Sequence, residues 1–247
     1  MSKIDEYHQK LKELKDWTPY LRKNSGLPGP RGNLELAQAV AEQITKGQIE
    51  EFLSIPPEQA GENTPGVFLV FCGVLGLGKL AAGGEHDQFA RLLGYASDSR
   101  WRIREATAMA LQFVGDQDIG RLLKEMRKWS RAGWYEKRAA AAALAEPRLL
   151  RDPQTVLEVL GIFDTITADI ASAGDTKNEA FKVLRQGMGY CWSVAVAALP
   201  GQGKSAMEEW LKSQNPDVRW IMKENLKKNR LLKMDAGWVK ACNARLE

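Results

Sequence analysis

Two histidines and three cysteines among 247 residues leave little material for metal or nucleophile chemistry. His8 and His86 stand far apart with no ligand spacing around either, and no Cys-His or Ser-His arrangement can be drawn. No metal site and no cofactor are expected. Cys72, Cys191 and Cys242 are odd in number, widely spaced and set in helical sequence, which suits free thiols in a reducing compartment. Long apolar runs are also missing. The longest, Val67 to Leu77, falls short of the roughly 20 residues of a membrane helix and reads as a buried helix. The charged start Met1-Ser2-Lys3-Ile4-Asp5-Glu6 has no apolar core of the signal-peptide type, so a cytoplasmic chain with no membrane partner is expected. No segment alternates in the manner of an amphipathic strand, which leaves an all-α fold.

What is present is ordinary in amount and uneven in distribution. Hydrophobic residues make up 44% and charged residues 27%, which argues against long disorder and suits one domain over residues 1–247, acting as a monomer. The net charge of +4 hides a segregation. Residues 100–151 hold 12 basic and 6 acidic residues and residues 204–247 hold 10 and 6, whereas 1–99 and 152–203 are each net acidic. A polyanionic partner fits that pattern. Plain solvation of outer helix faces fits it too.

One unit recurs: a polar turn, a Trp or Asp, a basic residue, then an Ala-rich helix. It appears at Ser97 to Ala106, at Gly133 to Ala140 and at Asn215 to Trp220. Recurring helical pairs stack into a solenoid that presents a long surface, here of the HEAT or armadillo type. The spacing predicts helices at 2–24, 34–45, 66–82, 85–96, 100–114, 118–130, 134–145, 153–172, 177–198, 205–214, 216–229 and 236–246. Asn33 caps the second of these after the Gly26 to Gly32 loop. Asp152-Pro153 and Asn215-Pro216 each set a capping side chain before a proline at the first helical position.

Trp101 and Glu105 lie one turn apart, off the stripe made by Ile103, Ala106, Ala110, Phe113 and Val114. An indole beside a carboxylate suits a cationic or electron-poor ligand. Alternatively, Trp101 packs against a neighbouring repeat and Glu105 pairs with Arg102 or Arg104. Arg138, four residues after Trp134, could hold a phosphate bidentately or bond a neighbouring carboxylate. Arg185, Tyr190 and Trp192 share a helix with Gly187 and Gly189, which suits either a ligand contact or a tight helix crossing. Gly73 to Leu80 and Ala198 to Ser205 approach the spacing of a phosphate-binding loop. The first lacks Ser or Thr, the second opens on Ala, and neither follows a strand, so nucleotide hydrolysis is not expected.

These residues together resemble the HEAT-like DNA alkylation repair proteins, which include alkylpurine DNA glycosylases. Tyr20-Leu21-Arg22-Lys23 with Gly26 to Gly32 is similar to that family's opening segment, Trp101 with Glu105 to its Trp and carboxylate four apart, and Trp134 to Ala140 to its Trp, Arg, Ala-Ala segment. Gln186 to Tyr190 is similar to a later helix in which the family carries Gly-Trp. The resemblance implies that Trp101 and Tyr190 are aromatic walls, Glu105 the catalytic carboxylate and Arg138 the backbone clamp in excision of N3- or N7-alkylated purines. Around these, Trp134 and Trp192 are expected on the substrate side, and Arg104, Arg185 and Arg219 on the DNA backbone. Glu105 stands where active members carry Asp, and Tyr190 replaces Trp. Since an error of about 1 Å costs roughly a hundredfold in rate, these departures favour binding over turnover. Duplex DNA is the expected partner, the alternative being a protein partner held by a non-catalytic scaffold.

Overall fold

The computed structural model describes residues 2–246, and every regular element among them is helical. The fold is all-α. Its contacts divide into two compact units, one ending at Gln117 and the other beginning at Asp118.

The first unit opens with α1 (Lys3–Glu13), started by a reciprocal capping box between Ser2 and Asp5. The expected helix over 2–24 breaks between Glu13 and Thr18, where the buried Trp17 donates its indole N–H to Leu11 O at 2.9 Å. Pro19 is the physical reason: it lacks an amide hydrogen and cannot sit in a helix interior, so α2 (Thr18–Asn24) must start beside it. Next come α3 (Leu34–Gln43), capped by Asn33 as expected, and α4 (Lys46–Leu53), to which the sequence reading assigned no helix. A second capping box, Thr45 with Gln48, starts it. The unit closes with α5 (Pro65–Ala82), α6 (Gln88–Ala96) and α7 (Trp101–Gln117). Helices α1, α3, α5 and α7 pack in succession, with α4 and α6 against α5 and α6 also against α7.

Helix α5 is long and apolar enough to cross a membrane by length and composition, yet most of it is enclosed by its neighbours. Its glycines admit them. A Cβ on Gly78 would lie 2.5 Å from Ala110 Cα, and one on Gly76 would lie 2.6 Å from Ile49 Cγ1. Backbone therefore meets backbone where α5 crosses α7.

The second unit holds α8 (Ile119–Trp129), α9 (Trp134–Leu144), a 3-10 turn at Pro147–Leu149, α10 (Pro153–Ala171), α11 (Glu179–Ala198), α12 (Pro200–Leu211), α13 (Pro216–Leu226) and α14 (Asn229–Ala244), the last kinked at Asp235. Asp152 and Asn215 cap α10 and α13 with their side chains, as read from the sequence. Helices α9, α11 and α13 form one layer, and α8, α10 and α12 line up behind them. Helix α12 starts at Pro200 rather than near 205 because proline suits a first turn, and Gly203 then lets it pack closely on α11, where a Cβ would lie 2.6 Å from Val196 Cα.

Candidate functional site

A cavity of about 120 Å³ opens beside the start of α7 in the first unit. Leu27, Val67, Phe68 and Phe71 give it apolar walls, and Trp101, Arg102 and Glu105 stand at one side. The Gly26 to Gly32 loop makes a further wall because Gly26 adopts φ +75, the left-handed region that favours glycine, and turns the chain back so that Asn33 N donates to Ser25 O at 2.8 Å. A loop to which the sequence reading gave no ligand contact thus shapes the cavity.

Trp101 is 41% exposed, and its backbone N–H donates to Glu62 Oε1 at 2.8 Å, a carboxylate at a helix N-terminus. Arg102 is buried under it. Its Nη2 donates to Gly29 O at 2.7 Å and Asn63 Oδ1 at 3.1 Å, and its guanidinium lies 4.4 Å from the Trp101 ring centroid. One indole face is therefore backed by a fixed cation, which holds the ring in place. Arg102 entered the sequence reading only as a partner for Glu105. Its position depends on Gly29 and Asn63, which no local pattern connects to it.

In the second unit, Arg138 on α9 is half-buried, with its Cγ 3.4 Å from where a Cβ on Gly187 would stand. A Cβ on Gly189 would similarly lie 3.2 Å from the Trp220 ring. The two glycines of α11 make room for side chains from α9 and α13, so the tight-crossing reading of this helix holds. Arg185 lies 2.6 Å from Asp217 Oδ1 and 3.9 Å over the Trp220 ring. Trp134 meets Phe181 edge to face at 5.4 Å. Tyr190 is 40% exposed, and Arg230 donates to its hydroxyl.

Two expected contacts, those of Trp192 and Arg104, are corrected. Trp192 cannot touch a ligand: it is fully buried, with its indole N–H donating to Thr167 Oγ1 at 3.0 Å and its ring against Phe163. Two residues on a helix point about 200° apart, so an exposed Tyr190 already sends Trp192 into the core. Arg104 is buried and donates to Asp98 O at 2.6 Å and Ser99 O at 2.9 Å, bracing the turn before α7. Arg219 donates to Leu246 O at 2.8 Å, tying down the end of the described chain.

The same bracing explains the recurring unit. Arg100 grips Asp98 through two parallel bonds, at 2.9 and 2.7 Å, and Lys137 donates to Ala132 O and pairs with Asp169 at 3.1 Å. Basic residues of the repeats thus satisfy turn carbonyls and carboxylates, and the charge surplus overstates what faces solvent. Burial pushes the Cys191 thiol up to about 12 and raises Cys72 further, so both stay protonated at neutral pH.

Comparisons of the chain with protein-family models, with curated proteins and with solved structures return no match.

Proposed function

We propose that the protein is a HEAT-like, duplex DNA-binding protein of the alkylpurine glycosylase type, which receives an alkylated purine nucleotide at the Trp101 cavity. One observation carries this reading: Trp101 and Glu105 line the same half-open, mostly apolar cavity. Alkylation at N3 or N7 makes the ring cationic. The exposed indole offers a stacking face and Glu105 offers the opposite charge, while the exposed Arg31 suits the phosphate that accompanies a base. The enclosed 120 Å³ is smaller than the 150 Å³ cavity known to admit benzene. A purine would accordingly lie across the mouth against Trp101 rather than sink to the floor.

Excision asks little more of such a site. The glycosidic bond breaks with its electron pair passing to the cationic ring, which leaves neutral. The Glu105 carboxylate stabilises the oxocarbenium sugar, and water adds at C1′ with loss of a proton. Incubation with duplex carrying one N7-methylguanine, scored for abasic sites, tests this step. Wild type should release the base and Glu105→Gln should not. Equal release by both would remove Glu105 from the mechanism, and no release by either would leave a binding protein without turnover.

A further inference from the structure

A second surface concentrates positive charge without bracing the fold. In the second unit a shallow groove of about 520 Å³ lies between Tyr190 on α11 and the junction of α13 with α14. Lys227, Lys228, Arg230 and Lys233 line it, and no carboxylate does. Lys227 pairs with Glu224 one turn away. The side chains of Lys228 and Lys233 make no ion pair or hydrogen bond among the described residues. Here the contrast with Arg104, Arg219 and Lys137 is direct, because those cations end on protein carbonyls and these do not.

Four like charges within seven residues repel one another, a cost relieved when an anion fills the groove. Arg230 is already oriented: its guanidinium lies 4.7 Å from the Tyr190 ring centroid, with one N–H on the tyrosine hydroxyl. A stacked guanidinium keeps its remaining donors in a fixed plane, the fork that matches a phosphate. The groove is too open to enclose a small molecule, so its ligand must be held by several separated charges. A flat bilayer fits poorly, since it would need inserted apolar side chains and Leu232 is the one exposed large apolar residue in this stretch.

We propose that this groove holds the phosphodiester backbone of nucleic acid, with duplex DNA as the polymer, an identity that rests on the reading of the Trp101 cavity above. The test is fluorescence anisotropy of the full chain with unmodified duplex, titrated with salt from about 50 mM. The variant is Lys227→Gln/Lys228→Gln/Arg230→Gln/Lys233→Gln, and the control is Lys3→Gln/Lys10→Gln/Lys12→Gln/Lys15→Gln, which removes the same charge from α1 and the turn that follows it. Each phosphate contact contributes about 0.9 to the log-log salt slope, so losing four of them should lower the slope by about 3.6 units and weaken binding more than roughly tenfold, while the control stays near wild type. Circular dichroism should show both folded, because the substituted side chains carry no core contacts. Equal slopes in variant and wild type overturn the groove alone. Equal losses in variant and control overturn it in favour of bulk charge, and binding to phosphatidylserine vesicles in place of duplex overturns it in favour of a membrane. Failure of wild type to bind duplex at all overturns both this inference and the DNA reading.

Discussion

At the scale of single residues, two tryptophans both expected on the substrate side have opposite roles. Trp192 is fully buried against Phe163 and bonded to Thr167, whereas Trp101 keeps 41% of its surface in solvent over the Arg102 guanidinium. Truncation should separate them. Trp192→Ala should cost about 3–5 kcal/mol, because it opens a core cavity and removes the indole N–H that Thr167 Oγ1 accepts. At roughly 2–4 °C per kcal/mol for a chain of this size, calorimetry should record a fall of at least about 6 °C. Trp101→Ala should leave the melting temperature within about 3 °C of wild type, since the ring covers little. A large loss of stability in Trp101→Ala would make that ring a packing element. The pairing of Trp101 with Glu105 was legible because it follows from helix geometry alone, and the role of Arg102 was not, because Gly29 and Asn63 approach it only in the folded chain.

At the scale of helices, most boundaries follow from local chemistry. Asn33, Asp152 and Asn215 cap their helices with their own side chains, and those starts were readable in sequence. Where the reading failed, a local signal had been passed over: Pro19 splits the first helix, and the Thr45 and Gln48 box starts a short helix over a stretch to which no element had been assigned. Packing between helices is another matter, since nothing local says that Gly78 meets Ala110. Gly78→Val tests that contact. Its Cβ would stand 2.5 Å from Ala110 Cα, backbone that cannot yield as a side-chain tip would, so α5 and α7 must part. We expect a loss of about 1–3 kcal/mol or more in urea denaturation, and an unchanged midpoint would refute the close crossing.

At the scale of the molecule, the chain is a set of helical layers whose turns are braced by their own cations. Arg100, Arg104, Lys137 and Arg219 spend their charge on Asp98, turn carbonyls, Asp169 and Leu246, so counting lysines and arginines by segment located the charge without locating the surface that displays it. The helical layers also enclose all three thiols. With Cys191 raised to about 12 and Cys242 to about 11, native protein at pH 8 should show no thiol reacting rapidly with a disulfide reagent, and three after denaturation. Rapid labelling of native protein would mean that a helix drawn here as packed is open.

The central claim concerns recognition at Trp101, and it reduces to one paired affinity. Wild type and Trp101→Ala are titrated with duplex carrying a single N7-methylguanine and with the same duplex unmodified, at one salt concentration. The account predicts that wild type prefers the methylated duplex by roughly tenfold, the size of one stacking and cation-π contribution, and that Trp101→Ala loses the preference while keeping its affinity for the unmodified strand pair. Equal affinity of wild type for the two duplexes would contradict it.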